Sequence, residues 1–326
     1  MSPAFADSLK KKALAQFKPL PAVTKISKAQ RPMVKLGRML FFEPRLSKSQ
    51  LISCNSCHNL STGGVDLQET STGHLWQKGP RNAPTVLNSG LQIAQFWDGR
   101  SPNLQDQAKG PVQAGVEMAN TPERVVETLT HIPGYAKAFK RAFPKDKNPI
   151  TFDHMATAIA AFEATLTTPG SKFDRYLAGK VRLSKTERMG LSLFMDKGCA
   201  ACHGGQNIGG ASYQVFGVVN APSESIRPKG DIGREKVTGK KSDRYSFKVP
   251  TLRNIALTGP YFHSGKVHGL GEAVQVMGHT QLGVDFSEKE TRSMVAFLKT
   301  LTGKQPKVPH PVLPPSVAST PQPILD

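Results

Sequence analysis

The sequence predicts a mainly α-helical protein built from two tandem copies of one domain, with extended loops between the helices. Three observations carry this prediction. Two Cys-x-x-Cys-His runs, Cys54-Asn-Ser-Cys57-His58 and Cys199-Ala-Ala-Cys202-His203, take up all four cysteines of the 326-residue chain. Each run follows an amphipathic segment with Gly and Phe four positions apart, Gly37 with Phe41 and Gly190 with Phe194. That spacing sets both residues on one helical face, where the glycine lets another helix cross closely. Each copy also closes alike, on Ala161-Phe162 with Thr165-Leu166-Thr167 and on Ala296-Phe297 with Thr300-Leu301-Thr302.

In chain order, residues 1–20 read as an N-terminal extension. Met1-Ser-Pro-Ala-Phe-Ala6-Asp7 lacks the apolar stretch of a leader, yet Ala4-Phe-Ala6 has the small-x-small form that precedes a signal-peptidase cut. A start from which the leader has been removed is expected. The first copy spans 21–166 and the second 167–303. The final helix of the second copy begins with a capping box, Ser287-x-x-Glu290, and carries Met294, Phe297, Leu298 and Leu301 on one face. It is expected to stop at Gly303. A proline-rich tail, 304–326, follows, whose composition would allow disorder. A glycine-bearing first helix, a Cys-x-x-Cys-His turn and a last helix crossing the first form the layout of the cytochrome c fold.

The two runs carry the chemistry. Two thiols three residues apart can form thioethers to the vinyl groups of one porphyrin, while the adjacent imidazole binds iron from the proximal side. Cys54, Cys57 and His58, then Cys199, Cys202 and His203, are therefore the expected attachment sites of two covalent haem c groups. A zinc ribbon would bring its Cys pairs within about 15–20 residues, whereas Cys57 and Cys199 stand far apart in the chain. Two thioredoxin-like motifs would give no reason for a histidine after each run. With every cysteine used, no disulfide is expected, and covalent haem attachment, which needs export, points to the periplasm.

An apolar content of 38% suffices for ordinary cores, and no run of 18 apolar residues predicts a membrane span. The formal charge of +19 suits an acidic partner, and nothing resembles a nucleic-acid motif. Basic residues are spread along the chain apart from Lys10-Lys11-Lys12 and the stretch from Arg227 to Lys248. Gly230, Gly233 and Gly239 mark that stretch as a mobile surface loop. It reads either as a solvated loop or as a surface that steers an acidic electron-donor protein.

Function turns on the sixth iron ligands, because an iron with two strong axial ligands only shuttles electrons, whereas a releasable position admits a substrate. For the second haem the expected ligand is Met277, with His263, His268 and His279 as competitors. For the first, the choice lies between His74 and Met118. Glu117, beside Met118, would give a simple electron carrier nothing, but cleavage of HOOH needs a base that moves a proton from one oxygen to the other.

Long motifs then give a family resemblance over nearly the whole chain. Gly73-His74-x-x-Gln77-Lys78-Gly79-Pro80-Arg81-Asn82-Ala83-Pro84-Thr85, Gln95-Phe96-Trp97-Asp98-Gly99-Arg100, Gln107-Ala108-x-Gly110-Pro111 and Glu117-Met118 resemble the bacterial dihaem cytochrome c peroxidases. So do Phe247-Lys-Val-Pro250-Thr-Leu-Arg-Asn254, Pro260-Tyr261-Phe262-His263 and Pro311-Val-Leu-Pro314-Pro315. The related methylamine-utilisation dihaem enzymes carry tyrosine in place of the axial methionine, so Met277 favours the peroxidase branch.

The resemblance implies that His58 holds a low-potential peroxidatic haem, with His74 as its removable distal ligand. It also implies that His203 and Met277 hold a high-potential, electron-accepting haem, with Trp97 as the bridge between haems. Glu117 becomes the acid/base, with Gln107 a polar neighbour. A calcium ion is implied, held by the Asn82 side chain and the carbonyls of Thr258 and Pro260, a set of oxygen ligands that calcium accepts. The implied reaction reduces hydrogen peroxide to water with electrons from a monohaem cytochrome c or a cupredoxin bearing an acidic patch. Reduction of the high-potential haem would activate it by moving the His74 loop. A homodimer is implied, and the tail is expected to lie along the surface. The alternative is a dihaem electron-transfer protein without turnover, in which His74 or Met118 never leaves.

Overall fold

In the computed structural model, which describes residues 3–23 and 25–326, the chain forms two compact units. The Cys54 unit comprises Thr24–Gly90, Ser101–Leu166 and Pro306–Asp326; the Cys199 unit comprises Met1–Val23, Leu91–Arg100 and Thr167–Gln305. Both are mainly helical, as expected. Among the described residues, regular sheet is confined to one antiparallel pair, Tyr213–Val215 with Ser246–Lys248, in the register Tyr213 to Lys248. No helix among them is long and apolar enough to cross a membrane.

The Cys54 unit is organised by the crossing of helices Arg31–Phe41 and Phe152–Glu163. A Cβ on Gly37 would lie 1.8 Å from the Ala158 carbonyl oxygen and 2.9 Å from the Phe162 Cβ, so only glycine permits this approach. Phe41 meets Phe162 edge to face at 5.4 Å, and Leu36, Leu40, Tyr135, Phe139, Met155 and Ile159 complete the core. Side-chain caps from Asn103, Thr121 and Thr151 start the helices Leu104–Gln113, Pro122–Thr130 and Phe152–Glu163. The C-terminal tail packs on this unit. Buried Glu43 accepts from Arg45 Nε (2.7 Å) and Tyr135 Oη (2.6 Å), while Arg45 Nη2 donates to the Pro314 carbonyl at 2.8 Å. His310 meets Phe42 at 4.6 Å. Specific contacts thus order a segment whose composition alone allowed disorder.

The Cys199 unit repeats the crossing with helices Lys185–Asp196 and Glu288–Lys299. A Cβ on Gly190 would lie 1.9 Å from the Ser293 carbonyl oxygen and 2.9 Å from the Phe297 Cβ. Ser184 with Glu187 and Ser287 with Glu290 form the capping boxes. The final helix ends at Lys299 with Thr300 as its cap, not at Gly303. Gly303 instead lies against Thr168, whose carbonyl oxygen would be 1.8 Å from an added Cβ. Its glycine answers a close approach rather than a helix stop.

The N-terminal extension contributes to this core. Helix Pro3–Gln16, which carries Lys10-Lys11-Lys12, brings in Leu9 and Ala13, and Phe17 follows. The small-x-small motif falls within this helix, and Met1 and Ser2 lie outside the described residues. Arg253, fully buried, pairs with Asp174 at 3.0 Å and donates to the Gln206 (2.7 Å) and Lys18 (3.2 Å) carbonyls, fastening the extension. The stretch Arg227–Lys248 ends in a buried strand, Ser246–Lys248, rather than remaining loop throughout. Arg227 lies over the Tyr245 ring and Arg234 over the Tyr213 ring, at 4.0 and 3.9 Å.

Candidate functional site

The two Cys-x-x-Cys-His runs fold alike. Each is a single tight turn in which the histidine N–H donates to the first cysteine's carbonyl at 2.9 Å, His58 to Cys54 and His203 to Cys199. None of the four cysteines forms a disulfide. Burial pushes the thiols of Cys57 and Cys199 up to about 11 and that of Cys54 higher still. Among the described residues no three His, Cys, Asp or Glu side chains gather as a metal-ligand set.

Both histidines are fitted to hold iron as neutral imidazoles. Burial lowers the pKa of His203 to about 4 and also lowers that of His58, against the opposing pull of Asp66 and the Gly64 and Pro84 carbonyls on His58. The Ile208 and Pro250 carbonyls pull likewise on His203. Neither Nδ1 makes a hydrogen bond of normal geometry. A positive-φ glycine brings the chain against the Pro-Thr segment in each copy. A Cβ on Gly209 (φ +120°) would lie 2.1 Å from the Pro250 oxygen and 3.3 Å from His203 Nδ1, and one on Gly64 (φ +76°) would lie 2.8 Å from Thr85 Oγ1. Sequence reasoning missed these supporting residues. Their signal was present as a second repeat, Ala83-Pro84-Thr85-x-x-Asn88 and Val249-Pro250-Thr251-x-x-Asn254, both asparagines having left-handed backbone (φ +61° and +62°).

His74 is 4% exposed, and neither ring nitrogen has a hydrogen-bond partner. A buried imidazole in this condition is costly unless it ligates a group that replaces those bonds. Its backbone N–H donates to the Glu117 carbonyl at 2.7 Å. Gly73 presses on the same segment: an added Cβ would sit 2.0 Å from the Val116 oxygen and 2.7 Å from the Glu117 Cα. The next two residues, Leu75 (φ +52°) and Trp76 (φ +62°), are non-glycine residues in left-handed conformation with exposed side chains. Met118, the other sequence candidate, is buried in the hydrophobic core of the Cys54 unit. Glu117 is partly exposed beside it, and Gln107 lies partly exposed on helix Leu104–Gln113. Glu163, buried at the end of its helix, is pushed up to about 8 by that burial.

In the Cys199 unit, Met277 ends helix Leu270–Met277 and is followed directly by a π-helical turn, Gly278–Leu282, a feature frequent at functional sites. Its competitors are placed otherwise. His268 is exposed, His279 pairs with Asp285 at the surface (3.0 Å), and His263 is buried among aromatic rings. Trp97 belongs to this unit. Its carbonyl accepts from Lys248 N–H at 2.7 Å, and its ring meets His263 at 6.2 Å. Burial lowers the Lys248 ammonium to about 8, and it donates to Gln92 Oε1. Of the residues expected to hold calcium, Asn82 lies in the Cys54 unit, where its amide N–H donates to the Gln68 carbonyl (2.9 Å) and so orients its oxygen. Thr258 and Pro260 lie in the Cys199 unit.

Comparison with known proteins places the chain among dihaem peroxidases. The family model described as di-haem cytochrome c peroxidase matches residues 31–182. The chain is 53% identical to the cytochrome c551 peroxidase of Pseudomonas aeruginosa, over 98% of this chain and 93% of that protein. It is 51% identical to the cytochrome c551 peroxidase of Nitrosomonas europaea, over 95% and 91%. A solved structure of a MauG-like protein associated with microbial copper homeostasis superposes with a TM-score of 0.77 at 27% identity, covering 88% of this chain and 93% of that one.

Proposed function

The chain belongs to the di-haem cytochrome c peroxidase family and is a peroxidase of hydrogen peroxide carrying two haem c groups; on that premise we propose how its own residues divide the work. Cys54, Cys57 and His58 hold the peroxidatic haem, with His74 as its removable ligand. Cys199, Cys202, His203 and Met277 hold the electron-accepting one. When bound, the two haems accept single electrons from a donor and provide the iron at which peroxide is reduced.

The observation that carries this reading is the His74 imidazole, buried with both nitrogens unpartnered on a segment hydrogen bonded to the Glu117 backbone. The releasable ligand and the acid/base thus sit on two adjacent segments joined by that bond. In the closed arrangement His74 excludes peroxide. Once its loop withdraws, the Glu117 carboxylate takes the proton from one peroxide oxygen and returns it to the other as the O–O bond breaks. Gln107 orients the substrate as a neutral donor and acceptor, and Trp97 is the electron path. The balance is one H2O2, two electrons and two protons to two H2O.

The donor is a monohaem cytochrome c or a cupredoxin with an acidic patch, steered by a chain of net charge +19 and by its Arg227–Lys248 stretch. The enzyme works in the periplasm as a homodimer, with a calcium ion held by Asn82, Thr258 and Pro260. Two variants test the site. Glu117→Gln is expected to lower kcat by about 10²–10⁴-fold, with both haems still attached. His74→Gly is expected to consume peroxide without prior reduction. Full activity in the first, or a continued need for reduction in the second, would overturn the assignment. Removal of calcium with a chelator is expected to lower turnover and its return to restore it.

A further inference from the structure

Trp97 has a counterpart in the second copy. Gln95-Phe96-Trp97-Asp98-Gly99-Arg100 and Tyr261-Phe262-His263-Ser264-Gly265-Lys266 fold as one and the same turn. The phenylalanines have φ +64° and +67°, and the glycines +68° and +66°. In each, the glycine N–H donates to the phenylalanine carbonyl, Gly99 to Phe96 at 3.4 Å and Gly265 to Phe262 at 3.1 Å. The residue after each phenylalanine is therefore the same structural position, occupied once by tryptophan and once by histidine. Within the Cys199 unit the two rings meet edge to face, 6.2 Å apart at 68°.

The surroundings of the pair are unequal. The backbone around Trp97 is clamped: its carbonyl accepts from Lys248 N–H (2.7 Å), the Asp98 carbonyl accepts from Arg234 Nη1 (3.1 Å), and Asp98 pairs with Arg100 (3.0 Å). The indole is partly exposed. His263 is 2% exposed and held on three sides. It stacks on Phe247 (4.2 Å, 21°), meets Phe216 at 5.9 Å and 88°, and turns Nε2 to within 3.8 Å of Asp231 Oδ2. Phe247 and Lys248 are neighbours on strand Ser246–Lys248, so one strand fixes both the Trp97 backbone and the stack that carries His263.

We propose that His263 is a positioning residue for Trp97: its imidazole, stacked on Phe247 and edged by Phe216, fixes the plane of the indole and with it the rate at which electrons pass through Trp97. This rests on the reading of Trp97 as the electron path.

Two readouts on the dihaem protein test it. The chain has two tryptophans, so in fully reduced, ¹⁵N-indole-labelled protein the signal absent from Trp97→Phe is that of Trp97. His263→Ala is expected to split or broaden that signal and to slow electron equilibration between the haems after rapid mixing with reduced donor by roughly tenfold. His263→Phe, which keeps a flat ring on Phe247, is expected to restore a single signal and bring the rate back to within about twofold of the native value. If His263→Ala does not fold, His263→Gln, which has no aromatic plane, carries the same expectation. An unchanged indole signal and rate in the Ala or Gln variant would overturn the proposal. Trp97→Phe without slowing would instead remove the electron-path reading, and the indole signal would still decide whether His263 positions the ring.

Discussion

Gly73→Ala is the most direct perturbation of the coupling between the His74 loop and the Glu117 segment. At φ −111° the Gly73 backbone accepts any residue, so the effect is steric alone. The new Cβ would stand 2.0 Å from the Val116 carbonyl oxygen and 2.7 Å from the Glu117 Cα, both backbone atoms that cannot rotate away. The two segments must part, and the 2.7 Å bond from His74 N–H to the Glu117 carbonyl goes with them. Losing one such bond costs about 0.5–1.5 kcal/mol, and overpacking costs about 1–3 kcal/mol more. Together, about 1.5–4.5 kcal/mol against the closed loop is roughly a 10- to 1,600-fold shift toward the open one. The visible spectrum of the as-isolated oxidised protein reads this shift as a high-spin fraction, with the melting temperature measured alongside to show that the unit remains folded. A folded Gly73→Ala protein that stays fully low-spin until reduced would refute the coupling.

Other perturbations probe the frame that holds the site. Gly190→Ala gains up to about 1 kcal/mol of helix propensity, but its Cβ would lie 1.9 Å from the Ser293 oxygen; the clash wins, and a fall in melting temperature of several degrees is expected by calorimetry. Asp174→Asn leaves Arg253 buried without its counter-charge, which costs about 3–5 kcal/mol and shows as an earlier urea midpoint. Glu163 is held at about 8 by burial, above its ordinary 4.5. The folded state therefore binds the proton more tightly, and its stability falls as pH rises from about 4.5 to about 8. Glu163→Gln removes that dependence, so relative to the native protein it gains stability steadily across this window in urea titrations; parallel pH profiles would show the carboxyl to be unperturbed.

Much of this was legible in the sequence because the features are local. The Cys-x-x-Cys-His turns and the Gly37 and Gly190 helices depend on spacing alone, and the two crossings have almost the same geometry. Gly303 misled because glycine serves both as a helix stop and as a point of close approach, and only the position of Thr168 tells which. The joining of residues 91–100 and the N-terminal helix to the Cys199 unit left no trace, since it depends on contacts distant in sequence. Met118 and His74 were equal as residue types; burial in an apolar core separates one from an imidazole with two unpartnered nitrogens. The Ala-Pro-Thr and Val-Pro-Thr segments and the Trp97 and His263 turns are repeats short enough to escape notice until their backbone angles coincide. Carbonyl ligands, as proposed for Thr258 and Pro260, carry no residue-type signal at all.

The central claim, a peroxidase switched by release of His74, is tested most directly by adding one electron per molecule in the presence of calcium and recording the visible spectrum before and after stoichiometric H2O2. Conversion of one haem to high-spin, followed by rapid reoxidation on adding peroxide, is the predicted result. Two haems that remain low-spin and leave the peroxide unconsumed would contradict it.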